Sequence, residues 1–144
     1  MTRVTHPVAV VAEELPERPK PHFGPFMGRL NARQKRVLGD IFGLTNFGVN
    51  LTRLPPGAIS ALRHAHTRQD ELVYILEGEA TFVFGGTMVG GKTTRPDQWL
   101  GTDITGGETH HIAKGDVFVI PAGVPHWFKE VPKSISYFVV KVIK

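Results

Sequence analysis

The chain has 144 residues, 41% hydrophobic and 21% charged, the balance of a soluble globular domain rather than a disordered one. It contains no cysteine, which excludes disulfides and thiolate metal sites and leaves imidazole and carboxylate as transition-metal ligands. A formal charge of +4 admits an anionic partner, but no helix-turn-helix and no interleaving of basic and aromatic residues accompanies it, so nucleic acid is not expected.

Residues 1–28 carry Pro7, Pro16, Pro19, Pro21 and Pro25, which forbid a continuous helix and predict an extended N-terminal arm, either disordered or laid against a neighbouring subunit. The apolar stretch PVAVVA in this arm is too short for a signal segment or a bilayer span, so a cytoplasmic protein without membrane contact is expected. His6 and His22 read as surface residues. The basic run that follows, Arg29, Arg33, Lys35 and Arg36, reads as a solvated segment, and NARQKRVLGDIFG as a helical turn or the approach to a strand. Residues 29–144 are expected to form one domain.

From NFGVNLTRL onward the pattern is that of strands. Phe47, Val49 and Leu51 alternate with small or polar residues, and the turn PPG at 55–57 ends the run. Later runs, ELVYIL, ATFVF, DVFVI, HWFKEV and ISYFVVKVI, are short and punctuated by glycine and proline, which predicts an all-β sandwich or barrel. Residues 85–114 are rich in glycine and weakly periodic, and read as a long excursion of the kind that serves as a lid or an interface.

The chemistry concentrates in LRHAHTRQDELVYILEG, residues 62–78. On an extended strand His64 and His66 share one face, roughly 6.5 to 7 Å apart, whereas on a helix they diverge by about 200°. Glu71 follows after enough chain to turn and return alongside, with Val73 and Ile75 on its own face as an apolar wall. Asp70 faces the other way and reads as a solvated residue or a partner of Arg68. His126 repeats the geometry of His64, an imidazole at a strand start directly after the turn PAGVP, and is the residue expected to complete a site. Phe128 returns to the His126 face, while Trp127 points away toward sheet packing or an interface. His110 and His111, just before a strand, are candidates for the pocket mouth. Trp99 is either a lid anchor or part of a packing cluster.

Gly57, His64, His66, Glu71 and Gly78, at their spacings, resemble the first motif of the cupin superfamily. Gly115, Pro121, Gly123 and His126 resemble the second, within residues 115–130. The resemblance covers about residues 47–143. It implies a cupin-type double-stranded β-helix, a jelly-roll barrel of two antiparallel sheets, with one divalent metal held by His64, His66, Glu71 and His126. Fe(II) or Mn(II) is expected first, and Zn(II), Ni(II) or Co(II) also suit this donor set. The gap after Gly57 is one residue longer than the family pattern, which a bulge can absorb, and Glu130 stands where asparagine is frequent.

The function expected from this resemblance is a metal-dependent enzyme acting on a small organic molecule, with a dioxygenase-type oxidoreductase as the leading form and Glu71 as a candidate base beside its ligand role. A metal-dependent isomerase or lyase is the alternative in which the metal acts as a Lewis acid. The non-catalytic alternative is a cupin that binds or senses a small molecule. A homodimer is expected, because such barrels leave one sheet face bare and the arm needs a surface to lie on.

Overall fold

Alternating apolar residues drive this chain into strands whose inner faces bury against one another. The computed structural model describes residues 6–20 and 30–143; His22 and Arg29 lie outside the described residues. In chain order the elements are β1 (Gln34–Val37), the one-turn α1 (Leu38–Ile41), β2 (Phe47–Leu54), β3 (Arg63–His66), β4 (Gln69–Phe84), β5 (Thr87–Val89) and β6 (Lys92–Arg95). They continue with β7 (Gln98–Gly101), β8 (Asp103–Thr105), β9 (Glu108–Ala113), β10 (Val117–Ile120), β11 (His126–Glu130) and β12 (Ile135–Ile143).

All pairings are antiparallel. One sheet runs β1-β2-β12-β4-β10, the other β9-β4-β11-β3-β7-β6, and β5 pairs with β8 apart from both. The architecture is the all-β jelly-roll barrel that the strand pattern predicts.

The two sheets are joined by a single strand. The sequence pattern splits ELVYIL from ATFVF at the glutamates around Gly78, but the structure makes one 16-residue β4 of them. Its first part pairs with β12 and β10, and from Glu79 onward it pairs with β9 and β11. The change of sheet takes place at Gly78, whose φ is 81° and whose missing Cβ would stand 1.8 Å from the Ser134 carbonyl oxygen. Only glycine fits there.

Strand registers sort the interior of the first sheet into rows. Ile135 lies opposite Leu54, Tyr137 opposite Thr52 and Ile75, Val139 opposite Asn50 and Val73, and Lys141 opposite Glu71. The barrel is therefore apolar at one end, where Leu54, Ile75 and Ile135 are fully buried, and charged at the other. The apolar end continues into Phe82, Phe128, Ile112 and Val131 as one core.

The 85–114 excursion is not a lid. Most of it is strand, because β7 pairs with β3 along its length and β9 pairs with the second half of β4. Trp99 lies opposite Ala65 and covers Gly91, where any side chain would overlap its indole, so it belongs to packing. The described part of the arm lies against its own chain. The Arg36 side chain donates to the Leu15 carbonyl at 2.8 Å, and the Arg18 amide donates to the Lys35 carbonyl at 2.7 Å. His6 lies at the surface, with Nδ1 3.2 Å from the Ile41 carbonyl.

Gly78→Ala combines a left-handed backbone with a clash against rigid main chain, and is expected to destabilise the fold by about 3 kcal/mol or more. Urea denaturation followed by tryptophan fluorescence measures it; a loss within ~0.5 kcal/mol of wild type would remove Gly78 as the joint between the sheets.

Candidate metal centre

The strand geometry brings His64, His66, Glu71 and His126 to one point. Their ligand atoms lie within 4.8 Å of one another, and all four residues are buried. His64 and His66 project from β3 into the barrel, with ring centroids 4.9 Å apart, and His126 lies directly opposite His64 across the β3–β11 pair. Glu71 enters from β4 in the facing sheet. The loop before β3 absorbs the longer gap after Gly57, since β3 begins only at Arg63.

The turn that delivers His126 is pinned to the ligand strands. The Gly123 amide donates to the His66 carbonyl at 2.7 Å, and the Ala122 amide donates to Asp70 Oδ1 at 2.8 Å. Asp70 thus has a structural task, tying the start of β4 to this turn.

Tautomers are set by the backbone. His64 Nδ1 faces the Leu62 carbonyl at 2.8 Å and His126 Nδ1 faces the Val124 carbonyl at 3.0 Å, so each ring is turned with Nε2 toward the centre. His126 Nε2 lies 3.2 Å from Glu71 Oε2, and His66 Nε2 lies 3.3 Å from Oε1. The Lys141 ammonium pairs with Glu71 and lies 3.4 Å from His66 Nε2, so one cation is already built into the cluster. Three imidazoles and a carboxylate that converge on one point are a donor set that could hold a divalent transition metal.

Electrostatics agree with ligation. Burial, then the neighbouring His126 and His66, hold the His64 imidazole well below its ordinary value, so it is a neutral donor. Burial alone pushes the Glu71 carboxyl up, but its contacts with His126 and His66 and the charge of Lys141 outweigh that and hold it well below the usual carboxylate range.

The centre opens into a chamber of about 70 Å³. Val73 and Phe128 line it, whereas Ile75 lies in the core and is fully buried. His110 and His111 do not line it. They are exposed on β9, beside Glu108 and Glu79, at a separate groove. Trp127 faces outward under the Arg63 guanidinium, which lies 3.8 Å from its ring centre.

The unexpected lining residues are cations. Arg33 and Lys35, taken from sequence as solvated, face the chamber, and Lys141 joins them through an ion pair with Glu71. A signal for Lys141 was present: it is the one charge on the inward row Ile135, Tyr137, Val139 and Lys141 of β12.

A jelly-roll barrel that gathers three histidines and a glutamate from both sheets, a set that could hold a metal ion, defines a double-stranded β-helix protein. The chain belongs to the cupin family, whose sequence profile matches residues 16–142. A crystal structure described as a sugar phosphate isomerase of the cupin superfamily, from Silicibacter pomeroyi, is 32% identical and superposes with a TM-score of 0.57 over 84% of this chain and 68% of that one. Germin-like protein subfamily 2 member 4 of Arabidopsis thaliana is 33% identical over 96 residues, 65% of this chain and 36% of its own. KdgF from Halomonas shares the fold, with a TM-score of 0.61 over 93% of this chain and 91% of that one at 14% identity. The chain spans about a third of the length of the curated relatives it matches. Among the described residues no helix is long and apolar enough to cross a membrane.

His126→Ala removes a ligand rather than an outer partner, and is expected to weaken divalent-metal affinity by more than the roughly 10–100-fold typical of an outer partner. Isothermal titration with Mn(II) or Zn(II) tests this, and unchanged affinity would place the metal elsewhere.

Proposed function

We propose that the protein is a metal-dependent enzyme that binds a small hydroxylated organic anion and moves a proton on it, a reaction of the isomerase or lyase type. The observation that carries this reading is the cationic lining: Arg33, Lys35 and Lys141 share one chamber with His64, Glu71 and His126. A divalent metal held by the four ligands supplies Lewis-acid polarisation of a substrate carbonyl or hydroxyl.

The chain's own groups do the rest. Arg33, fixed by donating to the Ser60 carbonyl, and Lys141 attract and orient the anion. Both Glu71 oxygens are engaged, Oε1 by His66 and Lys141 and Oε2 by His126, so the base role expected of Glu71 falls to another group. Lys35 suits it, since burial first, and then the charges of Lys141 and Arg33, lower its ammonium to about 7. In neutral form it takes a proton from carbon beside the polarised group and returns it to the neighbouring carbon. Burial raises the Tyr137 phenol above its ordinary value, so its hydroxyl, in contact with Ser60 and Thr52, stays protonated as a donor. Val73, Ile120 and Phe128 close the wall against water.

The relative from Silicibacter pomeroyi, described as a sugar phosphate isomerase, supports this class. A dioxygenase would draw on the same ligands, but catechols, flavonols and β-diketones match a small cation-lined chamber less well. A homodimer is proposed on the outer face of the first sheet, where Leu72, Tyr74, Val117, Val119 and Val142 stand exposed on adjacent strands.

Incubation of the Mn(II)- or Fe(II)-loaded protein in D₂O with hydroxy acids and sugar phosphates is expected to give deuterium exchange beside the carbonyl without oxygen uptake. Oxygen consumption matching turnover would instead make it a dioxygenase, and binding without exchange a sensor. Because the base must be neutral, kcat/KM is expected to rise with pH through about 7 and then level. Lys35→Met is expected to abolish that rise and to lower kcat about 100-fold. Light scattering is expected to give twice the chain mass at micromolar concentration, and the double variant Val117→Lys/Val119→Lys to give the monomer.

A further inference from the structure

A second chamber of about 80 Å³ adjoins the first and shares Arg33, Lys35, His64 and Lys141 with it. Its outer rim adds two arginines from distant parts of the chain, Arg18 of the arm and Arg95 of β6. Arg18 is held there by its own amide, which donates to the Lys35 carbonyl at 2.7 Å. Across both chambers the lining carries Arg18, Arg33, Lys35, Arg95 and Lys141 against one carboxylate, Glu71, which is already committed to the metal ligands.

That excess demands an explanation. Arg33 and Lys35 are half-buried, and half-buried charges in folded proteins are normally paired, while Arg18 and Arg95 stand exposed at the rim. Among the described residues, however, no carboxylate lies within ion-pair distance of Arg18, Arg33, Lys35 or Arg95. The repulsion is registered within the cluster: burial, and then Arg18 and Arg95, lower the Arg33 guanidinium from its ordinary value, although Tyr137 acts the other way. Each chamber is also far smaller than the roughly 300 Å³ of a typical small-molecule pocket, so a ligand filling both is compact, with one end in each.

We propose that the outer chamber is a second anion subsite, in which Arg18 and Arg95 grip a terminal phosphate or carboxylate of a substrate whose opposite, hydroxylated end reaches the metal ligands. The substrate class is then a small molecule anionic at its far end, with a phosphate monoester matching best, because guanidinium forks bind phosphate oxygens in pairs. The inference rests on reading the site as one for an organic anion, and adds that the arm is part of the binding site.

The test uses the full chain stripped of metal with a chelator that is then removed, and inorganic phosphate as probe, followed by calorimetry. Without metal, phosphate can be held only by the cations, so the result does not depend on the metal-enzyme reading. One saturable phosphate per chain is expected, weakened at least tenfold in Arg18→Gln/Arg95→Gln. The exposed Arg53→Gln, which removes the same charge elsewhere, is expected to leave it unchanged. Acetate in place of phosphate separates the two anion types: tighter binding of phosphate supports a phosphate monoester, and tighter binding of acetate overturns that assignment. Absence of saturable phosphate binding, an unchanged affinity in the double variant, or an equal loss in Arg53→Gln overturns the subsite. Failure of the metal-enzyme reading would show separately, as absence of metal binding in the wild type.

Discussion

A carboxylate with 5% exposure has to be neutralised where it stands, and the interior of this barrel is arranged around that requirement at Glu71. Lys141 faces it across the β4–β12 ladder, while His66 and His126 reach its two oxygens from the opposite sheet. A single charge therefore ties both sheets together at the open end. Removing any one of its partners leaves an electrostatic debt that apolar packing cannot cover, because the fully buried residues, Leu54, Ile75 and Ile135, lie at the other end of the same strands.

The graded interior follows from strand periodicity. Each inward row of the first sheet is two residues further along β4, β12 and β2, so a change of residue type along the strands becomes a change of environment with depth. Leu54 and Ile135 form a dry floor; Ile75, Tyr137 and Thr52 form the next row, with Val73, Val139 and Asn50 above it; Glu71 and Lys141 form the charged top. The second sheet sets His64, His66 and His126 against that top and Phe128 against the middle, where its ring stacks on Tyr137 at 4.9 Å. Rigid strands carry every ligand, so the donors are oriented before any metal arrives.

The ligands were legible in sequence because their geometry is local. Two histidines at i, i+2 on a strand share a face whatever the remainder of the chain does, and the turn PAGVP announces where His126 begins its strand. The cations were not legible, because their placement depends on pairing between distant strands. Lys35 faces the chamber only because β1 lies beside β2, with Lys35 opposite Thr52, and no local pattern separates that from a solvated basic run. The same limit explains β7 and β9: in a glycine-rich, weakly periodic stretch they are strands because β3 and β4 offer edges to them, while β6 pairs with β7 and β5 with β8. His110 and His111, opposite Phe82 and Thr81, face opposite sides of their sheet, and both stand exposed beside a groove away from the metal centre.

The position of β12 has a consequence for how the molecule is made. This strand, the last in the chain, lies in the middle of its sheet, hydrogen-bonded on one side to β2 and on the other to β4. During folding those two strands keep open edges until β12 inserts between them, and pairings between such distant segments form slowly. Insertion of β12 is the event that brings Lys141 to Glu71 and shuts the barrel, so the centre is completed last. A partly folded chain can display its histidines long before it owns a site, and the pocket exists only once β12 is in place.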